Sequence, residues 1–370
     1  MTSLRIADVR LSSVTVSPRT TWDFIEIRTD DGSVGVGEWS DAGPVELARP
    51  LAERFRSRWI NQPAEPVHHE VTRLLDATAR DTSRSASARR LMLTVLGGFD
   101  AALCDVLARA EGRSMAVSLG VPANAGGIAC YANINRAVTT RTEAECRRVA
   151  ADAVAAGFTA VKFAPFDLLV GSRRITAGLR LAEAVRDAVG PSVALMLDLH
   201  GKLDVAEILA VAGPLLDLRP RWLEDVADPH DTKALATIRS ELGVPLAGGE
   251  FAATETDLAP ALDAGLLDVV MPDVKHAGGP RRALELGRSF AARGVEVSLH
   301  SPSGPVAQRH SALVSAGIPG TELLEYAFGE DPGRANLILP PEPLANGWLA
   351  RDFTGAGIGV DLASALVRNG

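Results

Sequence analysis

Six acidic or histidine side chains stand at the ends of short apolar segments, and successive members are 23 to 27 residues apart. One strand, one helix and two loops of a (β/α)8 barrel use about that many residues, because such a barrel takes about 250 in all. An isolated carboxylate is more often a helix cap or a surface charge. Six in register instead predict a catalytic face at the carboxyl ends of barrel strands. They are Asp198, Glu224, Glu250, Asp273, His300 and Glu325.

Asp198, Glu224 and Glu250 are predicted to bring three carboxylates around one point. Their mutual repulsion requires a compensating positive charge. Oxygen donors suit Mg²⁺, which keeps coordination positions for water or substrate. The three residues are therefore predicted metal ligands. The alternative is a carboxylate cluster that Arg or Lys neutralises.

Asp273 and His300 fall at the ends of strands six and seven of the predicted barrel. A carboxylate beside an imidazole orients the ring and raises its pKa, which makes the ring a competent general base. A tight loop, His300-Ser301-Pro302-Ser303-Gly304-Pro305, follows this strand directly. Apart from His200, the other histidines are interpreted as core or surface residues. They are His68, His69, His230, His276 and His310.

Two further polar residues, His200 and Lys162, complete the predicted ring with Glu325. His200 lies two residues after Asp198, so both side chains point into the barrel mouth from an extended strand end. His200 is predicted to be a general acid, with a supporting hydrogen-bonding role as the alternative. Lys162, at the end of strand two, would bind a substrate carboxylate. Glu325 would stabilise a developing oxyanion, either protonated or through hydrogen bonds.

Composition limits the class of protein. The 370 residues are 46% hydrophobic and 23% charged, which is typical of a soluble globular protein with a large core. A formal charge of −8 and a pI near 5.5 argue against nucleic acid or a membrane surface as the main partner. The three cysteines have no CxxC spacing. Together with the lack of a signal-peptide pattern, they predict a cytoplasmic protein.

The elements that position these residues divide into three segments. Alternating strands, followed by helical stretches at 45–59, 66–78 and 86–110, predict an α+β capping domain over residues 1–125. Over residues 126–325, strands and helices alternate, which predicts an α/β fold of the (β/α)7β TIM-barrel type. One of its helices is predicted at 204–213. Residues 326–370 are rich in Pro and Gly and are predicted to pack back on the capping domain.

The order of these residues resembles that of the enolase superfamily, in particular its mandelate racemase subgroup. That pattern has a metal-binding Asp, Glu and Glu on barrel strands three to five, Asp and His on strands six and seven, and Glu on strand eight. The resemblance covers essentially the whole chain, and it implies Mg²⁺, a His base and a metal-stabilised enediolate. The motifs that carry it are Gly37-Glu38, Glu224-Asp225, Gly249-Glu250, Pro272-Asp273 with Gly278-Gly279, and His300-Ser301-Pro302.

Departures from the family pattern bear on the reaction. Many members carry Lys-x-Lys at the end of strand two, and the second lysine is a base on the other face of the substrate. Here the stretch is Lys162-Phe163-Ala164. Counting back from Gly278-Gly279 places Asp273, rather than Lys275, at the catalytic position of strand six. Asp198-Leu199-His200-Gly201 is similar to acid-sugar dehydratases such as galactonate dehydratase, in which the strand-three histidine helps the hydroxide leave.

These observations predict a Mg²⁺-dependent dehydratase of an aldonate or aldarate. It would remove the proton alpha to the carboxylate and eliminate the beta-hydroxyl, giving a 2-keto-3-deoxy acid. The alternatives are a cycloisomerase, epimerase or racemase with the same His300 base, or a non-catalytic metal-binding relative. The resemblance also implies a homo-oligomer. The identity of the sugar acid is left open, because it depends on loops near Trp22 and Trp39 and on the loop at 165–167.

Overall fold

The computed structural model describes residues 3–363 and begins with a capping domain. Its elements are β1 (Ile6–Ser17), β2 (Thr20–Thr29), β3 (Val34–Glu38), α1 (Val45–Trp59), α2 (Ala64–Arg80), α3 (Ala86–Ala110) and α4 (Met115–Leu119). The strands pair antiparallel in chain order. The hairpin between β2 and β3 turns at Gly32, whose φ of 88° favours glycine.

Helix α3 is the core of the capping domain. It begins where the Ser85 hydroxyl accepts a hydrogen bond from the Ala88 N–H. Trp59 of α1 packs edge to face against Phe99 of α3, with ring centroids 5.0 Å apart. By length and composition α3 could cross a membrane, but 83% of its most apolar window is buried. That burial is typical of the core helix of a soluble domain.

Within residues 3–363, eight parallel strands form a barrel. They are β4 (Asn124–Asn133), β5 (Ala160–Phe163), β6 (Ala194–Asp198), β7 (Pro220–Glu224), β8 (Leu246–Gly248), β9 (Val269–Val270), β10 (Glu296–Val297) and β11 (Leu323–Ala327). Sequence neighbours pair from β4 to β10, and β11 pairs with β4. Large side chains such as Tyr131 and Trp222 fill the interior, so the barrel is packed below the strand ends that carry the polar residues.

Helices connect the strands and cover the outside of the barrel. They are α5 (Glu143–Ala155), α6 (Arg174–Val189), α7 (Val205–Ala210), α8 (Ala212–Asp217), α9 (Thr232–Leu242), α10 (Ala259–Asp263), α11 (Pro280–Ala292) and α12 (Pro305–Ala316). The sequence predicts one helix over 204–213, but the chain forms α7 and α8 with a break at Val211. Pro214 explains the break, because it has no N–H to bond the preceding turn. The architecture confirms the predicted (β/α)7β barrel with an N-terminal α+β cap.

The chain continues past the barrel in short strands. They are β12 (Ile338–Leu339), β13 (Leu344–Ala345), β14 (Trp348–Asp352) and β15 (Asp361–Leu362). Strand β14 pairs antiparallel with β4 of the barrel. Arg109 of α3 forms an ion pair with Asp361 at 2.6 Å. This segment therefore contacts both the barrel and the capping domain.

Glu38, at the end of β3, joins the capping domain to the barrel. Its carboxylate accepts hydrogen bonds from the backbone N–H groups of Gly304 and Ala307, each at 2.8 Å, at the N-terminus of α12. The Ser40 hydroxyl donates a third hydrogen bond at 2.7 Å. A carboxylate is stabilised at a helix N-terminus. The loop that follows His300 is thereby held against the capping domain.

Candidate active site

The carboxyl ends of the barrel strands open into a cavity of about 430 Å³ that the capping domain also lines. The structure brings all the residues that the sequence predicts for the site together at this cavity. Lys162, Asp198, His200, Glu250 and His300 line it, while Glu224, Asp273 and Glu325 are buried and contact the lining residues.

The Lys162 ammonium lies among carboxylates. Its Nζ is 2.6 Å from Glu224 Oε1, 2.8 Å from Glu325 Oε1 and 3.9 Å from Asp198 Oδ2. Burial opposes the ammonium charge, but these carboxylates outweigh it and raise the pKa of Lys162 well above its usual value. Burial raises the pKa of Glu224 to about 7, with Lys162 opposing the rise and Asp198 and Glu325 reinforcing it. The charges of Lys162 and of the three carboxylates around it therefore interact strongly.

His300 is held between two carboxylates. Its Nδ1 lies 2.8 Å from Asp273 Oδ2, and its Nε2 lies 2.8 Å from Glu250 Oε2. Burial opposes the imidazolium, yet the charges of Glu250 and Glu325 and the bond to Asp273 raise the pKa of His300 well above its usual range. The Lys275 ammonium donates to the same Asp273 oxygen at 2.7 Å. The Lys275 ammonium therefore stabilises the charge of the Asp273 carboxylate.

His200 is also held between two carboxylates. Its Nδ1 lies 2.9 Å from Asp167 Oδ1, and its Nε2 lies 2.7 Å from Asp198 Oδ2. Burial opposes the charged ring, but the two aspartates raise the pKa of His200 to about 11. The predicted extended strand end at His200 was wrong, because β6 ends at Asp198 and His200 has a left-handed φ of 45°. This conformation is costly for a non-glycine residue and clusters at functional sites. The sequence placed Asp167 only in a specificity loop, so its contact with His200 is a feature that the sequence did not predict.

Ala164, two residues after Lys162, is held by its backbone. The Ala164 N–H donates to Asn135 Oδ1 at 2.5 Å, and the Ala164 carbonyl oxygen accepts from Arg141 at 2.6 Å. Asn133, which lines the cavity, donates to Glu325 Oε1 at 2.7 Å. Asn133 and Asn135 therefore present amide groups to the cavity beside Lys162, and position 164 has no ionisable side chain.

The cavity contains further groups that sequence reasoning missed. Arg19, Arg90 and Arg136 line it, and the Arg90 guanidinium stacks 4.5 Å above the Phe251 ring. His276, predicted from the sequence to be a core or surface residue, also lines the cavity, and burial lowers its pKa to about 4. Only Arg19 lies in a loop that the sequence singled out. The others come from segments whose meeting depends on the tertiary fold.

The donor set fits a divalent cation. Asp225 lies beside the predicted metal ligands, and burial together with the charges of Glu250, Asp198 and Glu224 raises its pKa well above the usual range. Carboxylates that interact in this way require positive charge, and oxygen donors are the ligands that Mg²⁺ prefers. Each predicted ligand is paired with a cationic side chain, as in the alternative that the sequence left open, so a bound Mg²⁺ would have to replace these partners. The pairs are Asp198–His200, Glu224–Lys162 and Glu250–His300.

Two family models match the chain. The model described as enolase C-terminal domain-like matches residues 144–366. The model described as mandelate racemase / muconate lactonizing enzyme, N-terminal domain, matches residues 2–120. The first match covers the barrel from the helix after β4 onward, and the second covers the capping domain.

Sequence relatives include both dehydratases and an isomerase. D-galactonate dehydratase of Verminephrobacter eiseniae is 26% identical over 97% of this chain and 92% of that protein. D-gluconate dehydratase of Thermoproteus tenax is 30% identical over 91% of this chain and 67% of that protein. D-galactarolactone cycloisomerase of Agrobacterium fabrum is 28% identical over 86% of this chain and 78% of that protein.

Solved structures share the fold along nearly the whole chain. A member of the enolase superfamily from Salmonella Typhimurium has a TM-score of 0.81 at 19% identity, covering 99% of this chain and 98% of that chain. A mandelate racemase/muconate lactonizing enzyme from Sulfitobacter sp. has a TM-score of 0.80 at 21% identity, covering 99% and 95%. At these identities the likeness is one of fold.

Proposed function

Because the chain belongs to the mandelate racemase/muconate lactonizing enzyme family of the enolase superfamily, we propose that it is a Mg²⁺-dependent dehydratase of a sugar acid. The relatives named as galactonate and gluconate dehydratases support this class of reaction. The substrate would be an aldonate or aldarate, whose carboxylate acidifies the neighbouring C–H. The product would be a 2-keto-3-deoxy acid.

Asp198, Glu224 and Glu250 would hold the metal. When bound, Mg²⁺ supplies positive charge that stabilises an enediolate formed from the substrate carboxylate. Lys162 would bind the same carboxylate through its ammonium, which already lies between Glu224 and Glu325. These residues therefore lower the cost of removing the alpha-proton.

His300 and His200 would move the protons. His300 would accept the alpha-proton on Nε2, while Asp273 holds the N–H at Nδ1 and fixes the orientation of the ring. His200 would donate a proton to the departing beta-hydroxyl, so that it leaves as water. Loss of that group from the enediolate gives an enol, which tautomerises to the 2-keto acid. Glu325, hydrogen-bonded to Asn133, would help to hold the charge that develops on the substrate.

The observation that carries this proposal is the placement of His200 and His300 in one cavity, while position 164 is alanine. One histidine serves as the base and the other as the acid. By the resemblance to the family, a racemase with two bases would carry its second base at position 164. The arrangement therefore favours elimination over racemisation.

A cycloisomerase that uses the same His300 base is the second candidate. The cycloisomerase relative, which acts on a lactone of a sugar acid, supports it. An isomerase gives a product of unchanged mass, whereas a dehydratase gives a product that has lost water. Mass spectrometry of the product distinguishes the two candidates.

The test is a screen of mono- and diacid sugars with Mg²⁺, using semicarbazide to detect a 2-keto-3-deoxy product and D₂O to detect alpha-proton exchange. We expect a positive semicarbazide reaction with at least one acid. His300→Asn should remove both dehydration and exchange, because a general base contributes about 10²- to 10⁴-fold. His200→Asn should remove dehydration and leave exchange.

The matched control is His230→Asn, which changes an exposed histidine that bonds Asp228. It should keep full activity. An unchanged product mass with exchange would favour the isomerase. Unaltered turnover in His300→Asn would overturn the assignment of the base in both candidates.

A further inference from the structure

A compact group of metal-binding side chains lies in the capping domain, outside the cavity described above. It consists of His68 from α2 and Asp100 and Cys104 from α3. Asp100 and Cys104 are four residues apart and therefore share one face of α3. We propose that these residues form a second metal site, which takes Zn²⁺ or a similar divalent ion.

One donor atom of each side chain lies within 4.8 Å of the other two, which is close enough for all three to bind one ion. His68 Nε2 lies 3.2 Å from Asp100 Oδ1 and 3.4 Å from Cys104 Sγ, and Cys104 Sγ lies 3.9 Å from the other carboxylate oxygen, Asp100 Oδ2. Zinc bonds of about 2.0–2.3 Å at tetrahedral angles separate such donors by roughly 3.3–3.7 Å. Imidazole nitrogen, thiolate sulfur and carboxylate oxygen are all ligands that zinc accepts.

The contact between His68 and Asp100 is longer than those at the two cavity histidines. The corresponding distances are 2.8 Å between His300 and Asp273 and 2.9 Å between His200 and Asp167, while the exposed His230 and Asp228 are 3.1 Å apart. A charge-assisted hydrogen bond to a carboxylate usually has a length of about 2.7–2.9 Å. The 3.2 Å between His68 and Asp100 therefore accommodates two ligands of one ion as well as a long hydrogen bond.

His68 is the member of the group that reaches solvent. The Asp100 side chain is fully buried, while that of His68 is 21% exposed. A zinc ion held by these three side chains would take a fourth ligand such as water. Asp100 also packs against Gly279, where a side chain would overlap it. An ion at this site would tie α2 and α3 to the loop that follows Asp273.

Binding would have to displace the thiol proton of Cys104. Burial, followed by the charge of Asp100, raises the pKa of this thiol well above its usual value, although the nearby Arg281 lowers it. Zinc binds the thiolate form of cysteine, so binding at this site releases the thiol proton of Cys104.

The test uses the full-length protein, stripped with EDTA and returned to saturating MgCl₂ so that the carboxylates of the barrel are supplied with Mg²⁺. Elemental analysis measures bound Zn²⁺, and Co²⁺ replaces Zn²⁺ to report thiolate ligation through its thiolate-to-cobalt charge-transfer band. We expect one equivalent of zinc, the cobalt band and a higher Tm with zinc.

Cys104→Ser and His68→Gln should each abolish the band and the zinc-dependent rise in Tm. The matched controls are Cys130→Ser, which changes another buried thiol, and His69→Gln, which changes the exposed neighbour of His68. Both should retain the band. Zinc in the barrel would persist in every variant and give no thiolate band.

A wild-type protein without the cobalt band would overturn the proposal, and the three residues would then be a hydrogen-bonded group only. This outcome is read on the wild-type protein, so it does not depend on whether a variant folds.

Discussion

The two cavity histidines, His200 and His300, differ in how firmly their supporting carboxylates are held. Asp273, which orients His300, accepts hydrogen bonds from both the backbone N–H and the ammonium of Lys275, each at 2.7 Å. Asp167, which orients His200, lies in a loop, and Arg141 is 3.8 Å from it. Asp167 is therefore the support that a substitution can remove with the least disturbance to the barrel.

Asp167→Asn is expected to slow dehydration while leaving proton exchange at the alpha-carbon intact. The amide keeps the size of the side chain but removes the charge that stabilises the His200 imidazolium. We expect dehydration to fall roughly 10- to 100-fold, part of the 10²- to 10⁴-fold that a general acid supplies. Alpha-proton exchange in D₂O, which depends on His300, should stay within about twofold. The ratio of the two rates measures the effect.

Asp228→Asn is the matched control, because Asp228 makes the same kind of contact with His230 at the exposed surface, at 3.1 Å. It should change neither rate. An equal loss of exchange and dehydration in Asp167→Asn would contradict the division of labour between His200 and His300. It would mean that Asp167 acts on the first proton transfer as well.

The site residues differ in whether the nearby sequence or the tertiary fold determines their position. Asp198, Glu224 and His300 were predictable because each closes a strand, and parallel strands present their carboxyl ends on one face. Asp167 and Arg136 were not predictable in their contacts, because loop conformation places them. Arg136, for example, reaches the cavity through an ion pair with Asp41 of the capping domain. No pattern in the sequence links those two residues.

At the scale of elements, helix α3 approaches the barrel through glycine. A Cβ at Gly97 would lie 2.8 Å from the Lys275 carbonyl oxygen and 2.8 Å from the Gly279 nitrogen. Backbone atoms cannot move aside as a flexible side chain can. The close approach brings α3 against the loop that follows Asp273, the proposed orienting residue of the base.

Gly97→Ala is expected to destabilise the protein despite the higher helix propensity of alanine. Overpacking costs about 1–3 kcal/mol, and the propensity gain of about 1 kcal/mol offsets only part of it. We expect a lower urea midpoint together with reduced turnover, because the loop after Asp273 must shift. Equilibrium urea unfolding and steady-state kinetics provide the two measurements.

Gly213→Ala is the matched control, since Gly213 lies in helix α8 and its Cβ would meet nothing within 4 Å. It should leave stability unchanged or raise it by up to about 1 kcal/mol. A neutral result for Gly97→Ala would contradict the tight packing of α3 on the barrel loop.

The elements themselves were more predictable than the contacts between them. Helices α1 and α3 occupy the predicted ranges, because apolar periodicity and capping residues act within a few turns. The predicted helix at 204–213 was wrong in extent, since Pro214 interrupts the hydrogen bonds of the turn before it. The approach of Gly97 to Gly279 was not predictable, because it depends on how the capping domain sits on the barrel.

At the scale of the whole molecule, the active site depends on the junction of two domains. Glu38 lies 266 residues before Gly304 in sequence, and its carboxylate bonds the backbone that begins α12. That backbone follows directly from His300. The sequence marks Glu38 as part of a motif, but the partner of its carboxylate appears only when the capping domain meets the barrel.

Glu38→Ala is expected to weaken both stability and catalysis. It leaves the buried N–H groups of Gly304 and Ala307 without their acceptor, at a cost of about 1–3 kcal/mol each. We therefore expect a loss of roughly 2–5 kcal/mol in urea unfolding. A displaced His300 loop should also reduce kcat about 10- to 100-fold, since small misplacements of catalytic groups are costly.

Glu38→Gln separates the two roles of this carboxylate. The amide keeps one acceptor oxygen, so it should preserve one of the two backbone bonds and fall between the wild-type protein and Glu38→Ala in both stability and kcat. Glu241→Ala, at an exposed position on α9, is the control and should change neither quantity. If Glu38→Ala lowers stability but leaves kcat unchanged at a temperature where the variant is fully folded, the junction stabilises the fold without positioning the proposed base.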